Sequence, residues 1–157
     1  MSADQNRELI ERLYAALDRA DGDAMAACYA PDARFSDPAF GELRGERVGG
    51  MWRMLASRST DLDVDLAEHD AGDETGSAHW IARYTFRTGR RVTNDIRARF
   101  RFEGGLIAEH DDSFNFHAWS RQALGLPGVL LGWTPLLRAA VRRKARADLE
   151  EFLAEGP

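Results

Sequence analysis

The chain has 157 residues, 44% of them hydrophobic and 30% charged, the size and balance of one folded domain with its own core. Its formal net charge of −5 argues against general nucleic-acid binding, which needs a basic face, and the single cysteine, Cys28, excludes an intramolecular disulfide and a thiolate zinc cluster. No apolar run approaches the ~20 residues that span a bilayer, and the charged start "MSADQNRELIERL" has no signal-peptide core, so the expectation is a cytoplasmic protein with no membrane and no nucleic-acid partner.

Ser2 and Gln5 fit a capping box. Leu9, Leu13 and Leu17, with Ile10 and Tyr14 beside them, recur at helical spacing and predict a first helix. "DGD" ends it and opens a short second helix through Met25 and Tyr29, closed by Pro31. "ARFSDP" reads as a short strand, and "GERVGGMWRMLAS" as a third helix carrying Met51, Trp52, Met54 and Leu55. The period then changes to two. "DLDVDLAEH", "SAHWIARYTF", "TNDIRARFRF" and "LIAEHDDSFNFHAW" read as successive strands separated by turn chemistry. In the third of these, Ile96, Ala98, Phe100 and Phe102 alternate with Arg97, Arg99 and Arg101. Helices first and an antiparallel meander after them predict an α+β fold.

The chain divides into residues 1–119 and a tail over 120–157 of different composition. "QALGLPGVLLGWTP" reads as an apolar loop, expected to cover a pocket mouth or a subunit interface, because its side chains in water would make a sticky patch. Thr134 and Pro135 then open a last helix with Leu137, Val141, Ala145, Leu149 and Phe152 as its stripe. That helix packs on the same domain or on a partner. Arg138, Arg142, Arg143 and Arg146 form a basic cluster, read as a solvated helix face.

Asp37 stands directly before Pro38 and between Phe35 and Phe40. Asp-Pro commonly initiates a turn. The same pair also holds a carboxylate in extended backbone, aimed where apolar walls would raise its pKa. His110 and Asp112 share one face of the last strand. Alternation leaves the strand over 78–87 undecided, since Trp80, Ala82, Tyr84 and Phe86 make one face and His79, Ile81 and Arg83 the other. His110, Asp111, Asp112 and His117 fit no metal-ligand spacing, and no phosphate loop is present. The expectation is no metal and no cofactor.

"AALDRADGDAMAACYAPDARFSDP" and "FRFEGGLIAEHDD", with the spacing between them, resemble the nuclear transport factor 2-like superfamily, which includes ketosteroid isomerases, SnoaL-type polyketide cyclases and limonene-epoxide hydrolases. The resemblance covers about residues 5–119. It implies a cone-shaped, cystatin-like fold, three N-terminal helices packed on a curved antiparallel sheet around an apolar pocket, commonly a homodimer. Asp37 matches the proton-moving aspartate of the isomerases, whereas Leu13 and Ala98 stand where their oxyanion-binding groups would be. Against the epoxide hydrolases, His79 and Ile81 replace an Arg and an Asp, and Asp112 matches their other Asp. "GLIAEHDD" matches the strand that carries the cyclases' acid-base aspartate at Asp112. The resemblance therefore implies Asp37, Asp112 and His110 as catalytic residues. Tyr14, Phe35, Phe40, Trp52, His79, Arg83, Phe100 and Phe114 are the implied pocket lining for a small apolar molecule. The reading is an isomerase, cyclase or hydrolase-type enzyme using buried aspartates. The alternatives are a non-catalytic binding module and a dimeric structural protein.

Overall fold

The computed structural model describes residues 2–156. Helix α1 (Ala3–Asp18) starts with the expected reciprocal cap between Ser2 and Gln5 and buries Leu9, Ile10, Leu13, Tyr14 and Leu17. Helix α2 (Gly22–Ala26) is capped by Asp21 and stops before Tyr29. The chain passes instead into strand β1 (Tyr29–Asp37), with Pro31 inside it. Proline's fixed φ is compatible with extended backbone as well as with a helix end, and the local signal did not distinguish them. Strand β2 (Gly41–Arg44) pairs back on β1 with Asp37 opposite Gly41, a hairpin too short to show alternation. Helix α3 (Glu46–Arg58) follows and buries Val48, Met51, Trp52 and Met54.

Strands β3 (Asp63–Ala71), β4 (Thr75–Thr85), β5 (Arg91–Glu103) and β6 (Leu106–Ser113) complete a six-stranded sheet of order β2-β1-β6-β5-β4-β3. All its pairings are antiparallel except β1 with β6, which is parallel. That pairing returns the end of the meander beside its beginning and sets Phe35 opposite His110. β5 alternates as its sequence dictates: Val92, Asn94, Ile96, Ala98, Phe100 and Phe102 are buried, and the arginines between them are exposed. The buried face packs with α1 and α3 into one core.

The expected strand beyond Ser113 is a helix. Asn115 caps α4 (Phe116–Leu124), and the "loop" contains α5 (Leu126–Leu131). Helix α6 (Pro135–Glu155) begins at the expected Thr134 cap. Its stripe is buried only towards the C-terminal half, where Leu149 is buried in the main core and Leu153 meets Gly50 of α3. Asp148 pins this half, taking Lys144 at 2.8 Å and Arg87 at 3.1 Å. Burial alone would raise its carboxyl pKa, but these cations hold it below the ordinary range.

Expected to cover a pocket mouth or a subunit interface, "LPGVLLGWTP" covers no apolar surface of its own chain. Its large side chains face solvent. Leu149 is the most deeply buried side chain by which α6 packs on the domain. Leu149→Ala is accordingly expected to cost about 2–5 kcal/mol in urea unfolding, the range for a fully buried leucine. A loss below about 1 kcal/mol would show that the tail is only loosely docked.

Candidate active site

Sheet register builds the site. Across β1, β6 and β5, Phe35, His110 and Phe100 are direct neighbours, so three rings stand side by side on the inner face. Their centroids are 5.0 Å (Phe35 to His110) and 4.5 Å (Phe100 to His110) apart. Two residues on, Asp112 is in register with Ala98, and Ala98 with Ala78. These small neighbours leave the space over Asp112 to Trp80 and Tyr14, whose rings lie 5.1 Å apart.

His110 is fully buried, and both its ring nitrogens are engaged. The Trp52 indole N–H donates to the Tyr29 hydroxyl at 2.9 Å. That hydroxyl lies 2.8 Å from His110 Nδ1, and His110 Nε2 lies 2.8 Å from Asp112 Oδ1. Trp80 Nε1 also reaches Asp112 Oδ1, at 3.4 Å. Tyr29 already accepts from Trp52, so its own proton goes to Nδ1. Nε2–H then donates to the Asp112 carboxylate. With these roles every donor of the network has an acceptor. His110 thus links a tyrosine to an aspartate through both its ring nitrogens.

Asp37 stands at the edge of this cluster. Its Oδ1 accepts from the backbone N–H of Ala39 at 2.9 Å and of Phe40 at 2.6 Å, so it closes the β1–β2 turn. It is also half-buried, and its pKa rises to about 7. Desolvation is the main cause, the two turn N–H bonds oppose it, and the Asp112 charge adds to the rise. The turn role and the perturbed carboxylate belong to the same residue.

The Tyr14 hydroxyl is buried, and its proton has no acceptor among the described residues; the Trp80 indole beside it can only donate. Burial, followed by the Asp112 charge, pushes its pKa well up. It therefore stays a protonated donor. Tyr84 is raised for the same first reason, desolvation. The Trp119 indole N–H, 2.9 Å away, eases it back, and the Asp37 charge raises it again.

Of the residues expected here, the fold brings Tyr14, Phe35, Trp52, Phe100, His110 and Asp112 into one cluster. Asp37 lies at its edge. Phe40 is buried beside the turn and Phe114 bridges to the second apolar cluster. His79 and Arg83 are not brought in. β4 buries Ala78, Trp80 and Ala82, so its other face carries His79 to Asp95 at 2.6 Å and Arg83 to Asp63 at 3.4 Å. There His79 lines an outer groove of about 550 Å³. Burying Trp80 removes far more apolar area from water than burying His79, and that decides the parity. Tyr29 was missed because the proline signal assigned it to a helix, whereas the strand aims its hydroxyl inward. Among the described residues no three His, Cys, Asp or Glu side chains converge as metal ligands.

Residues 10–110 match the SnoaL-like domain family. Among solved structures, an LEH-like epoxide hydrolase from M. tuberculosis superposes with a TM-score of 0.67 at 19% identity, over 82% of this chain and 97% of that one. A protein with a ketosteroid isomerase-like fold from Catenulispora acidiphila, in complex with trimethylamine, gives 0.68 at 19% identity, over 82% and 98%. A candidate polyketide cyclase from Xanthomonas campestris gives 0.65 at 20% identity, over 76% and 97%. At these identities the likeness is one of fold. No curated protein matches the sequence significantly.

Proposed function

The chain belongs to the SnoaL-like domain family, and from that premise we propose that it is a cofactor-free enzyme acting by proton transfer on a small, mostly apolar molecule. The observation that carries this reading is the buried, unpaired Tyr14 hydroxyl beside Asp112. A buried donor without a partner costs about 1–3 kcal/mol. A ligand oxygen accepting from it would recover that cost and have any developing negative charge stabilised. Asp37, with its pKa near the working pH, moves the proton. The Trp52–Tyr29–His110–Asp112 chain holds Asp112 in place. An LEH-like epoxide hydrolase and a candidate polyketide cyclase that share this fold are in keeping with a reaction class of isomerisation, cyclisation or hydration.

One observation favours a second reading. His110 is wholly buried and its nitrogens are spent within the chain, as in a polar core that only shapes a binding pocket. A screen of small ketones, lactones and epoxides separates the two. Under the enzymatic reading, turnover shows an inflection at about pH 7 and falls about 10²–10⁴-fold in Asp37→Asn, the usual weight of a positioned acid or base. Tyr14→Phe lowers it as well while leaving the fold intact. Ligand binding without turnover at any pH would establish the second reading instead.

A further inference from the structure

We propose that α5 and the first half of α6 form a docking surface for an anionic lipid bilayer, on which the protein rests without spanning it. Leu126, Val129, Leu130, Leu131, Trp133 and Leu136 are 44–83% exposed, at one helix-turn-helix corner. Apolar surface of this concentration is rare on a chain that stays in water.

Local packing explains why it faces out. Gly128 and Gly132 lie so close to Ser120 of α4 that neither position has room for a side chain. α5 therefore docks on α4 through its bare side, and the bulky residues point to solvent. The Trp133 indole N–H is spent on the Leu130 carbonyl at 3.0 Å, so the ring needs no further polar partner in an interfacial position.

Charge selects the occupant. Residues 113–147 contain no Asp or Glu but carry Arg121, Arg138, Arg142, Arg143, Lys144 and Arg146, in a chain whose net charge is −5. Lys144 is committed to Asp148, and Arg146 to the carbonyls of Phe40 and Glu42. Arg121, Arg138 and Arg143 are exposed and make no salt bridge among the described residues. Arg138 lies over the Phe116 ring at 5.1 Å. An apolar tip joined to arginines that have no carboxylate partner among the described residues, in a stretch of chain free of acidic residues, is complementary to a bilayer carrying negative headgroups. No described helix is long and apolar enough to cross a membrane, so the attachment is interfacial.

Tryptophan emission provides the test, because Trp52, Trp80 and Trp119 are buried and only Trp133 is exposed. The full chain is titrated with vesicles of phosphatidylcholine alone, and with vesicles of equal parts phosphatidylcholine and phosphatidylglycerol. With the anionic vesicles the emission shifts to the blue, brominated lipid quenches it, and ~0.5 M salt reverses the binding. Arg143→Ser weakens the vesicle affinity about fivefold, the usual weight of one basic residue at a charged surface. The Leu130→Ser, Trp133→Ser double variant loses it at least tenfold in co-sedimentation and keeps the wild-type melting temperature. Equal binding to neutral vesicles, or binding to neither kind, overturns the proposal. So does a wild-type oligomer that the double variant converts to monomer without any vesicle binding, which makes the corner an interface between copies of the chain.

Discussion

Asp37→Asn is expected to abolish a loss of stability that the wild-type chain suffers as pH rises from about 4 to about 7. The folded protein keeps the Asp37 proton up to about pH 7, whereas the unfolded chain releases it around pH 4. Between those values the folded state binds more protons, so stability falls with rising pH across that window. It is constant with respect to this group below and above it. The full pKa difference corresponds to about 4 kcal/mol, and solvent contact of the half-buried carboxylate reduces this to about 2 kcal/mol. Asparagine keeps the Oδ1 that accepts from Ala39 and Phe40, so the turn survives without the titration. The variant should match wild type in urea unfolding at about pH 4 and exceed it by about 2 kcal/mol at about pH 8. Asp112→Asn should lower the Asp37 pKa by removing the charge that helps raise it. Parallel stability profiles for wild type and Asp37→Asn would show that the carboxylate is solvated as an ordinary surface acid.

His110→Ala is expected to cost about 3–5 kcal/mol, while His79→Ala, on the same sheet, costs less than about 1 kcal/mol. Removing the imidazole leaves Tyr29 without its acceptor and leaves Asp112 with only the 3.4 Å bond from Trp80. A buried group stripped of its partner carries its whole desolvation cost, and the gap beside Phe35 and Phe100 adds a cavity term. His79 loses only a partly exposed bond to Asp95, a kind of pair that contributes little. His110→Phe separates the terms, since it refills the volume but still orphans both polar neighbours. Most of the loss should persist in it. Equal costs for His110→Ala and His79→Ala in denaturant unfolding would mean that the buried network contributes nothing to folding.

The same two histidines mark the boundary between what sequence and tertiary structure decided. The α+β class, the Ser2–Gln5 and Thr134 caps and the alternation of β5 were legible in the residues alone, because each depends on local order and spacing. The sequence also singled out Asp37, His110 and Asp112, whose spacing puts the last two on one strand face and whose motifs resemble known relatives. It did not determine which face of β4 turns inward, since the polar and apolar sets of that strand are mixed. Only pairing with β5 and packing against α1 made burial of Trp80 prevail over burial of His79. Nor did it reveal Tyr29 as the partner of His110 or Tyr14 as an unpaired donor beside Asp112. Those contacts join residues from distant parts of the chain, and their chemistry arises only when the core excludes water from them. The exposed corner of α5 followed the same rule. Its composition read as a cover for apolar surface, and the close approach of Gly128 and Gly132 to α4 turned its apolar residues outward.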